Sequence, residues 1–222
     1  MDALLMCGGR GTRLRTDTEK PLVPVGGRPM VDRVCDALAT ADGVDRVVAA
    51  VSPHTPATRT HLDGGDGSTP APGSLTVVET SGEGYVADLD EGMDRGGLAP
   101  PVLTVAADLP LVDAAVVDRV LAAYAARHEP EDGVCSLSVC VPAERMRALG
   151  ATLDTSFAPA DRELAPTGLN VVGDPDRERR VVLDDARLAV NVNRPRDRAV
   201  ADQRLQDRET QSTTDNGRTE RR

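Results

Sequence analysis

Lys20 is the sole lysine of a 222-residue chain in which arginine supplies the other basic side chains. It stands shortly after Gly8-Gly9-Arg10-Gly11-Thr12-Arg13-Leu14 and directly before Pro21. Glycines in such a run let backbone N–H groups turn toward an anion. A lysine adds a mobile point charge for phosphate oxygens, and Arg10 and Arg13 can add bidentate contacts. Two known phosphate loops are excluded. Lys20 lies between Glu19 and Pro21 and not in the Gly-Lys-Ser/Thr of a Walker A loop, and Gly9-Arg10-Gly11-Thr12-Arg13-Leu14 lacks the last glycine of a dinucleotide fingerprint. Read alone, the glycines also fit a plain turn decorated with solvated arginines.

Three other groups could do chemistry. Asp108 ends the apolar run Val102-Leu103-Thr104-Val105-Ala106-Ala107. A hard carboxylate there suits Mg²⁺, which takes one or two carboxylates beside substrate phosphates; a turn cap is the alternative. Asp113, opening the next helical pattern, reads as that helix's N-cap. In Thr80-Ser81-Gly82-Glu83-Gly84-Tyr85, the spacing Gly82-x-Gly84-x-x-Ala87 imitates a dinucleotide site, with Asp108 about twenty residues on. An NAD-dependent oxidoreductase is therefore a rival reading, but it leaves Lys20 and the first glycine loop without a role. Asn193, before Pro195, either completes a metal shell, reaches a phosphate or caps the last helix.

These groups need elements to carry them. Short apolar runs alternate with helical patterns, which predicts an α/β chain with a mainly parallel sheet. The runs predict strands over 3–6, 46–51, 75–79, 102–106, 134–139 and 169–172, and helices over 30–41, 55–62, 84–93, 113–127 and 196–205. Residues 64–73 read as a surface excursion, 151–164 as an irregular lid or connection, and 206–222 as a disordered polar tail. One domain over 1–205 is expected.

The formal charge of -10 argues against nucleic acid or an anionic membrane surface as a nonspecific partner, since both call for a basic face. No run approaches the ~20 apolar residues of a membrane span. Four cysteines without a C-x-x-C pair, and three histidines far from zinc spacing, read as thiols of a reducing cytoplasm. Acid excess, a single lysine and 1% aromatic content suggest a salt-rich, halophilic habitat.

The glycine run followed by Lys20-Pro21 resembles the signature of nucleotidyltransferases that join a nucleoside triphosphate to a phosphorylated acceptor, the superfamily of the molybdenum-cofactor (MobA-like) and sugar-phosphate enzymes. Further stretches resemble one branch of it, the archaeal guanylyltransferases acting on adenosylcobinamide phosphate. They are Met1-Asp2-Ala3-Leu4, Ser52-Pro53-His54-Thr55-Pro56, Thr80 through Leu89, Asp108-Leu109, Pro166-Thr167-Gly168-Leu169-Asn170-Val171-Val172 and Asn191-Val192-Asn193. The resemblance implies a Rossmann-like three-layer αβα fold of the nucleotide-diphospho-sugar transferase type. It implies transfer of GMP from GTP to a phosphorylated corrinoid acceptor, release of pyrophosphate, and Mg²⁺ as cofactor.

By the same resemblance, Gly8, Gly9, Gly11 and Thr12 contact the triphosphate through their backbone, and Arg10 and Arg13 its β and γ groups. Lys20 meets charge around the α-phosphate, and Asp108 with Asn193 holds Mg²⁺. Thr80, Ser81, Gly82 and Gly84 shape the guanosine pocket, and Gly168 with Asn170 faces the acceptor. The implied catalytic set is Lys20, Arg13 and Asp108. Two positions depart from the pattern: Cys7 stands where alanine is common, and Asn193 where many sugar-phosphate relatives carry an aspartate. Molybdopterin, phospholactate and sugar-phosphate acceptors are alternatives, as is a non-catalytic nucleotide-binding protein, against which Lys20 and Asp108 together argue. A homo-oligomer is compatible with the sequence.

Overall fold

The strands are β1 (Ala3–Met6), β2 (Pro24–Val25), β3 (Arg28–Pro29), β4 (Val47–Val51), β5 (Leu75–Glu79), β6 (Val102–Ala106), β7 (Cys135–Pro142), β8 (Leu164–Val172) and β9 (Asp174–Val182). The helices are α1 (Met30–Ala39), α2 (Pro56–Leu62), α3 (Tyr85–Gly96), α4 (Ala114–Ala125), α5 (Ala143–Leu149) and α6 (Pro195–Thr219). They belong to a computed structural model that describes residues 1–64, 75–127, 133–159 and 161–219, the last eight as backbone alone.

Seven strands form one sheet in the order β5-β4-β1-β6-β8-β7-β9, and β2 and β3 make a separate ribbon. β1 pairs in parallel with β4 and β6, and β4 with β5. β8 runs antiparallel to both β6 and β7, while β9 is parallel to β7. The central strands are continuous apolar runs because helices cover both of their faces. Alternation sorts the side chains: Ala3, Leu5, Ala49 and Val105 join the larger core, and Leu4, Val48 and Ala50 join a smaller one. On the larger side, α1 buries Met30, Val31, Val34 and Leu38, and α4 buries Val116, Val117, Val120 and Tyr124. On the smaller side, α3 sets Leu89 and Met93 against Leu4 and its neighbours. Sheet and helices thus make the expected three layers.

From β1 the chain turns to one side for β4 and β5, then returns to β6 on the other. Open α/β sheets bind ligands at such a switch point, outside the carboxyl ends of the strands. The Cys7 N–H bonds the Ala50 carbonyl at 2.8 Å and the Ala107 N–H the Met6 carbonyl at 3.1 Å, so the residues following β1 and β6 leave the sheet side by side.

Several expectations need correction. β9, with Asp174, Asp176, Arg177, Glu178, Arg179 and Arg180 exposed, lacks the apolar alternation that marks a strand; it is a charged sheet edge, which resists pairing with another chain. α5 was not expected. β7 and β8 extend beyond the predicted 134–139 and 169–172. The tail expected to be disordered from Gln206 begins as continued α6, and Arg208 Nη2 donates to Asp113 at 2.6 Å. Past Gly64, the excursion over 64–73 lies outside the described residues. No helix among the described residues is long and apolar enough to cross a membrane.

Candidate active site

Gly11 has the left-handed φ of 62°, and a Cβ there would lie 2.6 Å from Lys20 Cβ. Glycine therefore lets the first loop close against the backbone of Lys20. On the other side, the Glu19 carboxylate accepts from the Ala57 N–H at 2.8 Å and from the Thr58 N–H and Oγ1 at 2.7 Å. These are orphan donors at the start of α2, and a carboxylate is stabilised there. Lys20 is thus held between a glycine and an anchored neighbour.

Its side chain reaches 88 positions along the chain. Lys20 Nζ donates to Asp108 Oδ2 at 2.5 Å and to Asn193 Oδ1 at 2.7 Å. An ammonium has three donors, so one is left for an incoming oxygen. Asn191 Nδ2 lies 3.4 Å from Asp108 Oδ1, and the Val192 N–H bonds the Asp108 carbonyl at 2.9 Å. The 191–193 segment is locked in turn by Asp197, a fully buried carboxylate. It accepts from the Asn193 N–H at 3.1 Å, the Arg194 N–H at 2.9 Å and the Thr152 N–H at 2.8 Å.

A cleft of about 470 Å³ opens over this knot. Of the expected site residues, Gly8, Gly9, Arg10, Lys20, Gly82, Gly84 and Asp108 line it, joined by His54, Tyr85 and Asp88, which sequence reasoning missed. Arg10 Nε donates to His54 Nε2 at 3.1 Å and forms no ion pair among the described residues. Ser52 Oγ donates to the Gly8 carbonyl at 2.8 Å, fixing the loop's first glycine.

Other expected residues stand elsewhere. Arg13 does not line the cleft: Nη1 donates to Asp154 at 2.6 Å and Nη2 to Asn193 at 3.3 Å, so it touches the knot from behind. Gly11 and Thr12 form the wall beside Lys20 and the start of a 3-10 turn. The Thr80 hydroxyl is buried against the Val51 carbonyl at 3.0 Å, and the Ser81 N–H bonds Glu91 at 2.9 Å; neither lines the cleft. Asn170 Oδ1 accepts from the Val139 N–H at 3.1 Å, where β7 shifts register, and so serves the sheet. Gly168 packs toward Asn191, next to the knot. Asp197, two residues after the Pro195 that opens α6, carries a signal in the sequence as the third helical residue, which reaches back to a capping N–H.

A profile of the MobA-like NTP transferase domain matches residues 3–157. The chain is 30% identical over 208 residues to adenosylcobinamide-phosphate guanylyltransferase of Methanocaldococcus jannaschii, covering 92% of this chain and 97% of that protein. It is also 30% identical over 119 residues to the bifunctional protein GlmU of Listeria innocua, covering 54% of this chain and 24% of that one. Two solved structures share the fold. One is a hypothetical transferase from Thermus thermophilus, with TM-score 0.51, 21% identity, and 77% and 64% of the two chains covered. The other is a CMP:2-keto-3-deoxy-manno-octonic acid synthetase with CTP, with TM-score 0.54, 14% identity, and 82% and 90% covered.

Proposed function

The chain belongs to the MobA-like NTP transferase family, and on that premise we infer that it transfers GMP from GTP to adenosylcobinamide phosphate, releasing pyrophosphate in cobalamin assembly. The observation that carries this reading is the meeting of Lys20, Asp108 and Asn193 within 2.7 Å at the mouth of the sheet's switch point. Full-length similarity to a relative named for that reaction supports the acceptor.

Attack of the acceptor's phosphate oxygen on the α-phosphorus is a displacement in which positioning and charge neutralisation do most of the work. Gly8 and Gly9 offer backbone to the triphosphate, and Arg10, free of carboxylates among the described residues, offers its guanidinium to the outer phosphates. The third donor of Lys20 faces charge developing at the α-phosphate. Arg13 acts by holding Asn193. Gly168, beside Asn191, borders the acceptor's approach.

A divalent metal fits the residues present. Asp108 Oδ2 and Asn193 Oδ1 already converge on one cation, the Lys20 ammonium, and both are hard oxygen donors of the kind Mg²⁺ prefers. Asp108 and Asn193 would hold the metal, and among the described residues no group of three or more His, Cys, Asp or Glu stands beside them. When bound, Mg²⁺ supplies neutralisation of phosphate charge. The net charge of -10 and the buried, unpaired cysteines support a reducing, salt-rich cytoplasm as the working environment. Residues 1–205 act as the transferase domain.

Incubation with each nucleoside triphosphate, Mg²⁺ and candidate acceptors, followed by pyrophosphate release, tests the reading. Release with GTP and adenosylcobinamide phosphate, lost on chelating the metal, is expected. Release that prefers molybdopterin, phospholactate or a sugar phosphate would refute the acceptor.

A further inference from the structure

Asp88 lines the cleft yet has no part in the phosphate cradle. It sits in the first turn of α3 and is only 6% exposed. Its Oδ1 accepts from the Gly82 N–H at 2.8 Å. Among the described residues no donor reaches Oδ2, which stands 3.2 Å from the point a Cβ on Gly8 would occupy. The missing side chain at Gly8 keeps that oxygen open to the cleft. An ionised carboxylate only accepts hydrogen bonds, and a buried one without a donor is costly. It also repels a triphosphate, so the donors of a nucleotide that can satisfy it are those of the nucleoside, ribose hydroxyls or base N–H groups, and only the base N–H groups distinguish one nucleotide from another.

The bases differ in what they can give. Guanine presents two adjacent donors, N1–H and the 2-amino group. Adenine and cytosine place an unprotonated ring nitrogen beside their amino group, and uracil flanks its one N–H with two carbonyl oxygens. Resting on the guanylyltransferase reading, we propose that Asp88 reads guanine, accepting from N1–H and the 2-amino group, and so sets the choice of GTP.

Isothermal titration without acceptor, using GTP, ITP, 1-methyl-GTP, XTP and ATP, tests this on the wild-type protein and on Asp88→Asn. Wild-type protein should bind ITP about 10-fold, and 1-methyl-GTP and ATP about 100-fold, more weakly than GTP, because a site built to hydrogen-bond rejects analogues lacking the partner. Asp88→Asn keeps an oxygen for the Gly82 N–H and turns the open oxygen into an NH₂ donor. It should lose about 100-fold in GTP affinity and prefer XTP, which carries oxygen at C2. An unchanged GTP to XTP ratio in the variant overturns the role of Asp88. So does equal wild-type binding of GTP, ITP and 1-methyl-GTP, a series that needs no variant to fold. The acceptor reading fails separately: GTP analogues ranked as stated, with no product from adenosylcobinamide phosphate, leave Asp88 in place and remove only the acceptor.

Discussion

Arg10 and Arg13 sit three positions apart in one loop and have opposite situations. Arg10 lines the cleft with no carboxylate partner among the described residues, whereas Arg13 is tied to Asp154 and Asn193. Arg10→Ala should therefore raise KM for GTP about 10-fold with little change in kcat, the mark of lost uniform binding. Steady-state kinetics against GTP checks it; an unchanged KM removes Arg10 from the phosphates. At this scale the sequence was legible where a residue type was out of place. One lysine among arginines and one carboxylate after an apolar run led to Lys20 and Asp108. It was not legible where the partner is a backbone group from another strand. Thr80 bonds the Val51 carbonyl and Asn170 the Val139 N–H, and no spacing along the chain reports such pairs. Asp88 was not legible because its burial and the approach of its Oδ2 to Gly8 arise only on folding.

Elements carry these residues through a few buried polar contacts. Asp197, at the start of α6, receives three backbone N–H groups from two loops. Asp197→Ala should cost about 1–3 kcal/mol, since part-buried donors lose their acceptor. It should also lower kcat by loosening Asn193, while Asp197→Asn should recover part of both losses. Thermal melts and kinetics on the two variants measure this; a stable, fully active Asp197→Ala protein contradicts it. The central strands and α1, α3 and α4 were readable because burial on both sheet faces, or on one helix stripe, imposes a pattern. β9 was not, since its exposed edge is written almost entirely in charge. The chain also crosses the start of β7 at Gly173, where a Cβ would lie 2.2 Å from the Cys135 carbonyl oxygen, a constraint visible only in three dimensions.

At the scale of the whole molecule, one sheet brings the ends of β1 and β6, and the segment before α6, to a single crevice, so that residues 20, 108 and 193 meet. The same packing closes off the thiols. Burial, with Cys35 nearby, raises the Cys7 thiol well above its usual value. Burial, then Asp32 and Asp36, pushes Cys35 up to about 12. Both groups then favour the folded state below their unfolded value and lose that contribution as pH climbs toward the folded one. A thiol reagent at pH 8 should label Cys7 and Cys35 only at the rate of unfolding, since the thiolate is the nucleophile; rapid native labelling would mean that this packing is absent. The proposed transfer depends on a common reacting centre for Lys20 and Asp108. Turnover of Lys20→Ala, Asp108→Asn and the double variant, at saturating GTP and acceptor, addresses it directly. Each single change should lower kcat by about 10²–10⁴-fold, and the double variant should be little slower than the worse single one, because groups acting as a unit are non-additive. Losses that simply multiply would place the two residues in separate roles.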